Sequence, residues 1–124
     1  MPVVLIAVVA VFFAAMGGYG LLRPRQLAEV VGLLADRADA DAEVRAVYGG
    51  FGLAIAVVLG LAAADIGELR PGVCVTVAAA LGGMAFGRIW SAFSERPSAF
   101  FPVWFFLLVE LILAGLLGTA VALG

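Results

Sequence analysis

Four long stretches of the chain are almost free of charge, and polar residues collect between them. The first runs from Val3 to Leu22 with no charged residue. The second runs from Val44 to Ala64 and is uncharged after Arg45. The third, Val73 to Ala92, carries only Arg88, and the fourth, Phe100 to Leu123, carries only Glu110. A transmembrane helix needs about 20 apolar residues, so the pattern predicts spans near 3–22, 44–64, 73–92 and 100–123. Arg23-Pro24 ends the first, because proline disfavours helix at the residue before it. Pro71 and Pro102 fall near helix starts, where a missing N–H costs little. The opening Met-Pro-Val-Val lacks the basic start of a secretory signal, so the first helix is expected to stay in the membrane.

Between the first two spans, Leu27, Val30, Val31 and Leu34 recur at i, i+3, i+4 and i+7. That spacing predicts a short amphipathic helix near 26–35, lying at the membrane interface and either covering one end of the bundle or forming a specific lipid or partner site. The polar run from Asp36 to Asp41 leads into the second span, with Asp41 or a neighbour placed to cap it. The predicted fold is all-α: an up-and-down four-helix bundle forming a single transmembrane domain over residues 1–124.

Composition agrees with the pattern. Of the 124 residues, 65% are hydrophobic and 13% charged, against about 45–50% and about 25% in soluble domains. The mean hydropathy is +1.21. These values exclude a soluble enzyme and a nucleic-acid-binding domain. The chain has no His, no Lys and one cysteine, Cys74. A His/Cys metal site, a His-ligated haem, a Ser-His-Asp triad and an intrachain disulfide therefore drop out. No cofactor and no enzymatic activity are expected.

The arginines set an orientation. Arg23, Arg25, Arg37 and Arg45 flank the first loop, Arg88 and Arg96 flank the third, and only Arg70 lies on the other side. The positive-inside rule puts the first and third loops in the cytoplasm and both termini outside.

Small residues predict helix contacts, because close packing drives association in lipid. They recur three or four apart as Ala10, Ala14 and Gly18; as Gly49, Gly52, Ala56 and Gly60; as Ala79, Gly83 and Gly87; and as Ala114, Gly118 and Ala122. Glu110 stands one turn before Ala114, so it is expected to face the bundle and not the lipid, where an acid is costly. Arg88 and Arg45 are its candidate cations. Glu43 is placed to neutralise one arginine, and Tyr48 to donate its hydroxyl to Glu110. The expected polar cluster is Glu43, Arg45, Tyr48, Arg88, Ser91 and Glu110. It is either a structural network that fixes helix order or the polar end of a binding site.

The segment Glu43-Val-Arg45-Ala-Val-Tyr48-Gly49-Gly50 resembles a bacterial family of small four-helix membrane proteins, domain of unknown function 4345. Gly87-Arg88-Ile-Trp-Ser91 resembles that family's element in the third helix. The likeness covers nearly the whole chain, and a more distant one to DoxX-like four-helix proteins is architectural. The resemblance implies a bacterial inner-membrane protein and names no activity. Two functions are compatible with the residues. One is binding or passage of a small polar or amphipathic, lipid-like ligand at the Arg/Glu/Tyr cluster. The other is a structural or accessory subunit, forming a homo-oligomer or packing against a larger membrane complex. Membrane lipid is the expected partner in either case, and nucleic acid is not.

Overall fold

A computed structural model of the chain describes residues 2–32, 38–95 and 100–124. The described residues are helical, with no strand among them. The first span is α1, Pro2–Leu22. A short helix α2, Pro24–Val30, follows at once. The second span is built from α3 (Ala38–Val44), a π-helical segment Arg45–Gly50, and α4 (Phe51–Ala63). The third is α5, Arg70–Ser94, and the fourth is α6, Val103–Leu123. All four spans are long and apolar enough to cross a bilayer, and the chain is a multi-pass membrane protein on that ground. Spans adjacent in sequence are neighbours around the bundle, and α1 closes the ring against α6.

Each boundary has a local cause. Arg23, the residue before Pro24, leaves helical geometry at φ −136°, ψ 65°, as a residue preceding proline tends to do. α2 is shorter than the predicted 26–35 helix because Gly32 turns left-handed at φ +84°; Leu34 lies outside the described residues. Leu27 and Ala28 are buried against Val44, Met16 and Tyr48, so the short helix does floor one end of the bundle. At the other end Arg70 donates from Nε to the Ala62 carbonyl at 3.2 Å and from Nη2 to the Ala63 carbonyl at 2.7 Å. A cation on the last carbonyls of a helix satisfies groups that have no partner within it. Asp65, left-handed at φ 55°, accepts from the Arg70 amide at 3.2 Å, which ties the α4–α5 turn to the same residue.

The core draws on all four spans. Ile6, Val9, Phe13, Leu59, Cys74, Val77, Leu81, Leu113, Leu117 and Ala120 form one buried cluster. Two membrane-level hydroxyls satisfy themselves within their own helix: Thr76 donates to the Gly72 carbonyl and Thr119 to the Gly115 carbonyl, each at 2.8 Å.

Among the described residues, the close glycine contacts between spans join α1 to the second span. A Cβ on Gly17 would lie 2.6 Å from the Leu53 amide nitrogen, and one on Gly52 would lie 3.1 Å from the Gly17 Cα. Gly20 and Gly49 meet in the same way, at 3.0 Å. Here α1 and the second span touch backbone to backbone, which only glycine permits. Elsewhere the predicted seams are corrected. Gly18 and Gly60 have nothing within 4 Å of an added Cβ, and neither do Gly83, Gly87 and Gly118. Ala56 and Ala114 are only partly buried. The inward stripe of α5 is Cys74, Val77, Leu81 and Ala85, and that of α6 is Leu107, Glu110, Leu113, Leu117 and Ala120. These side chains, mostly Leu and Val with Cys74, Ala85 and Ala120, fill that interface, and its predicted glycines and Ala79 turn outward.

Candidate functional site

Arg88 and Glu110 meet at matched depth. Arg88 lies six residues before the end of α5, and Glu110 seven residues after the start of α6. At 1.5 Å per residue both sit roughly 9–10 Å inside the span ends. Their antiparallel helices therefore bring the two groups level. Arg88 Nε donates to Glu110 Oε1 at 2.9 Å. The Glu110 side chain is 5% exposed and that of Arg88 24%. The Arg88 guanidinium also stands 5.6 Å from the centre of the Phe106 ring, within cation–π range. Phe106 precedes Glu110 by one helical turn, so ring and carboxylate hold the cation from the same face. Sequence reasoning passed over Phe106, although its i−4 relation to Glu110 was available as a signal.

The pair borders a cavity of about 250 Å³. Phe12, Phe13, Ala15, Met16 and Tyr19 of α1 form one wall, and Leu81, Met84, Val109 and Phe106 the opposite one. Leu27, Val30 and Val31 close the floor, and Tyr48 completes the side. Among the described residues, Arg88 Nε to Glu110 Oε1 is the one hydrogen bond these two side chains make. Among the described residues, no side-chain nitrogen or oxygen is both sealed from the surroundings and unpartnered. The unpartnered atoms of the pair therefore keep some accessible surface, and Arg88 borders both this cavity and an outer groove. The two charged side chains stand at one end of an otherwise apolar chamber. That arrangement can hold a polar head while its apolar remainder lies among aromatic and aliphatic side chains. An apolar cavity of about 150 Å³ suffices for benzene, so this one has room for a ring with a short tail or a medium-length acyl chain.

The six residues expected to form one cluster occupy separate places. Arg88, Glu110 and Tyr48 share the cavity, although no hydrogen bond joins Tyr48 to Glu110 among the described residues. Ser91 is exposed in an outer groove that it shares with Met84, Gly87, Arg88 and Val103. Glu43 is exposed and forms no ion pair among the described residues. Arg45 belongs to another cleft, lined by Leu22, Arg23, Pro24, Arg25, Gln26 and Asp41, and its Nε donates to the Leu21 carbonyl at 3.3 Å. The π-helical turn explains the separation of Arg45 from Tyr48. Its i→i+5 hydrogen bonding widens the turn, so residues three apart no longer share one face. Asp41 does not cap the span, because α3 already begins at Ala38. It instead accepts from Arg25 Nε at 3.2 Å, with the aspartate side chain 12% exposed. No local spacing points to that partner: the two residues are 16 apart and come together because α2 folds back.

The family model for a domain of unknown function, DUF4345, matches residues 3–121. The chain belongs to the DUF4345 family. No curated protein and no solved structure matches it. In this DUF4345 protein, the segment Glu43–Gly50 builds the π turn that sends Arg45 and Tyr48 to different sites. The segment Gly87–Ser91 sets Arg88 between the cavity and the outer groove.

Proposed function

We propose that this protein binds a small amphipathic, lipid-like molecule in the cavity, with its polar end on Arg88, Glu110 and Tyr48. One observation carries the reading: the intramembrane ion pair uses a single hydrogen bond among the described residues and borders an open, apolar-walled chamber. A purely structural pair gains most when every donor and acceptor is satisfied within the protein. Arg88 and Glu110 together carry no net charge, so the favoured ligand is uncharged, with a hydroxyl or carbonyl head that can both donate and accept. The role is binding or passage, without catalysis. The setting is the inner membrane of a bacterium, with both termini outside and the six-arginine side in the cytoplasm. A periplasmic reporter fused to either terminus should be active and one in the first loop inactive; the reverse pattern refutes the orientation.

Native mass spectrometry in detergent with a ten-carbon monoacylglycerol tests the ligand. The wild type should retain one molecule per chain, and Val109→Trp, which fills the chamber, should lose it. Equal retention by both, or none by either, overturns the proposal.

A second reading rests on the outward glycines. Gly82, Gly83 and Gly87 leave a smooth strip on α5 with nothing within 4 Å of an added Cβ, suited to a second copy or to a larger complex. Crosslinking in lipid through single cysteines at those positions would detect such a neighbour, and its absence would remove this reading.

A further inference from the structure

The cleft around Arg45 is separate from the cavity, and its chemistry differs. Three arginines, Arg23, Arg25 and Arg45, border it together with one acid, Asp41. Two of them are anchored by Nε alone: Arg25 to Asp41 at 3.2 Å and Arg45 to the Leu21 carbonyl at 3.3 Å. Among the described residues, the paired terminal nitrogens of both have no protein acceptor. Arg23 spends one terminal nitrogen on Gln26 at 3.3 Å. An arginine held at Nε presents the other edge of its planar group as a fixed fork, the geometry that grips phosphate oxygens. Asp41 offsets one of the three positive charges, so the cleft keeps a net positive charge.

We infer that this cleft holds the phosphate of an anionic phospholipid. The lipid source is favoured over a free anion by what stands beside the forks. Leu22 lines the same cleft and is 82% exposed, and the cleft opens where α1 ends. A phospholipid places its phosphate next to apolar chain at that level, whereas a free phosphate gains nothing from an exposed leucine. Basic pockets at the cytoplasmic ends of spans recognise anionic headgroups by this combination. The site does not depend on the amphiphile cavity, so either proposal can fail alone.

The test is lipid retention on the whole protein. Protein reconstituted with equal phosphatidylglycerol and phosphatidylcholine is released into detergent and its bound lipid is weighed by native mass spectrometry. Wild type should carry phosphatidylglycerol in preference. Arg45→Gln should lower that retention about ten-fold, as expected for loss of one charge-assisted contact. Arg23→Gln should lower it too; among the described residues that side chain bonds only to Gln26 in its own turn, so its loss leaves the fold intact. Arg70→Gln, at the far end of the bundle, should leave retention unchanged. Equal retention of the two lipids, no effect of Arg23→Gln and Arg45→Gln, or release of the lipid by millimolar inorganic phosphate would each overturn the inference.

Discussion

The first two spans touch backbone to backbone at Gly17, Gly20, Gly49 and Gly52, whereas the last two keep large side chains and an ion pair between them. Both pairs are antiparallel neighbours made from similarly apolar sequence. The difference lies in what each contact leaves room for. Glycine contact seals the α1 interface and holds the π turn against α1, so Tyr48 is fixed on the cavity wall. The α5–α6 interface carries Leu81, Phe106 and Val109, and these with Arg88 and Glu110 line the open chamber. One hairpin acts as a rigid backing, and the other supplies the polar chemistry.

Breaking each side of this contrast gives unequal effects. The largest is expected at Glu110. Glu110→Gln leaves Arg88 without its counter-charge inside the membrane and should cost about 3–5 kcal/mol in reversible unfolding in mixed micelles. The double variant Arg88→Met with Glu110→Leu should recover wild-type stability or exceed it, because an apolar pair removes the desolvation penalty on both sides. A double variant as unstable as the single one would mean that the pair itself holds the hairpin together. A smaller effect is expected at the glycine contact. Gly17→Ala forces a methyl group to within 2.6 Å of the Leu53 amide and should cost about 1–3 kcal/mol. The smallest is at Gly83, where an added methyl meets nothing within 4 Å. Gly83→Ala should shift stability by less than about 0.5 kcal/mol in the monomer. Equal costs at Gly17 and Gly83 would erase the distinction between the two hairpins.

The sequence made the spans legible because apolar run length is a one-dimensional property. Each long helix, and the stop at Pro24, follows from residues that act locally. The inward position of Glu110 was legible as well, since an acid in a span has few other places to go. The small residues predicted beside it do not share its stripe. Ala114 and Gly118 follow at helical spacing, yet Leu113 and Leu117 are the buried ones. Small size marks a contact only where a partner backbone approaches, and that depends on which helix stands opposite. The grouping of Arg45 with Arg88 failed for a related reason: it assumed regular α-helical rotation through Arg45–Gly50, where the chain runs as a π turn. Arg25 with Asp41, and the cavity itself, arise from long-range placement of α2 and of all four spans, which no local spacing encodes.

The central claim is that Arg88 and Glu110 face an open chamber that takes an amphiphile. A structure of the protein in a lipid nanodisc, at a resolution that separates side chains, tests it most directly. The account predicts elongated density among Phe13, Met16 and Val109, with its head against Arg88 and Glu110. A bundle in which Tyr48, Phe106 and Met84 close over the ion pair and leave no such density would contradict it.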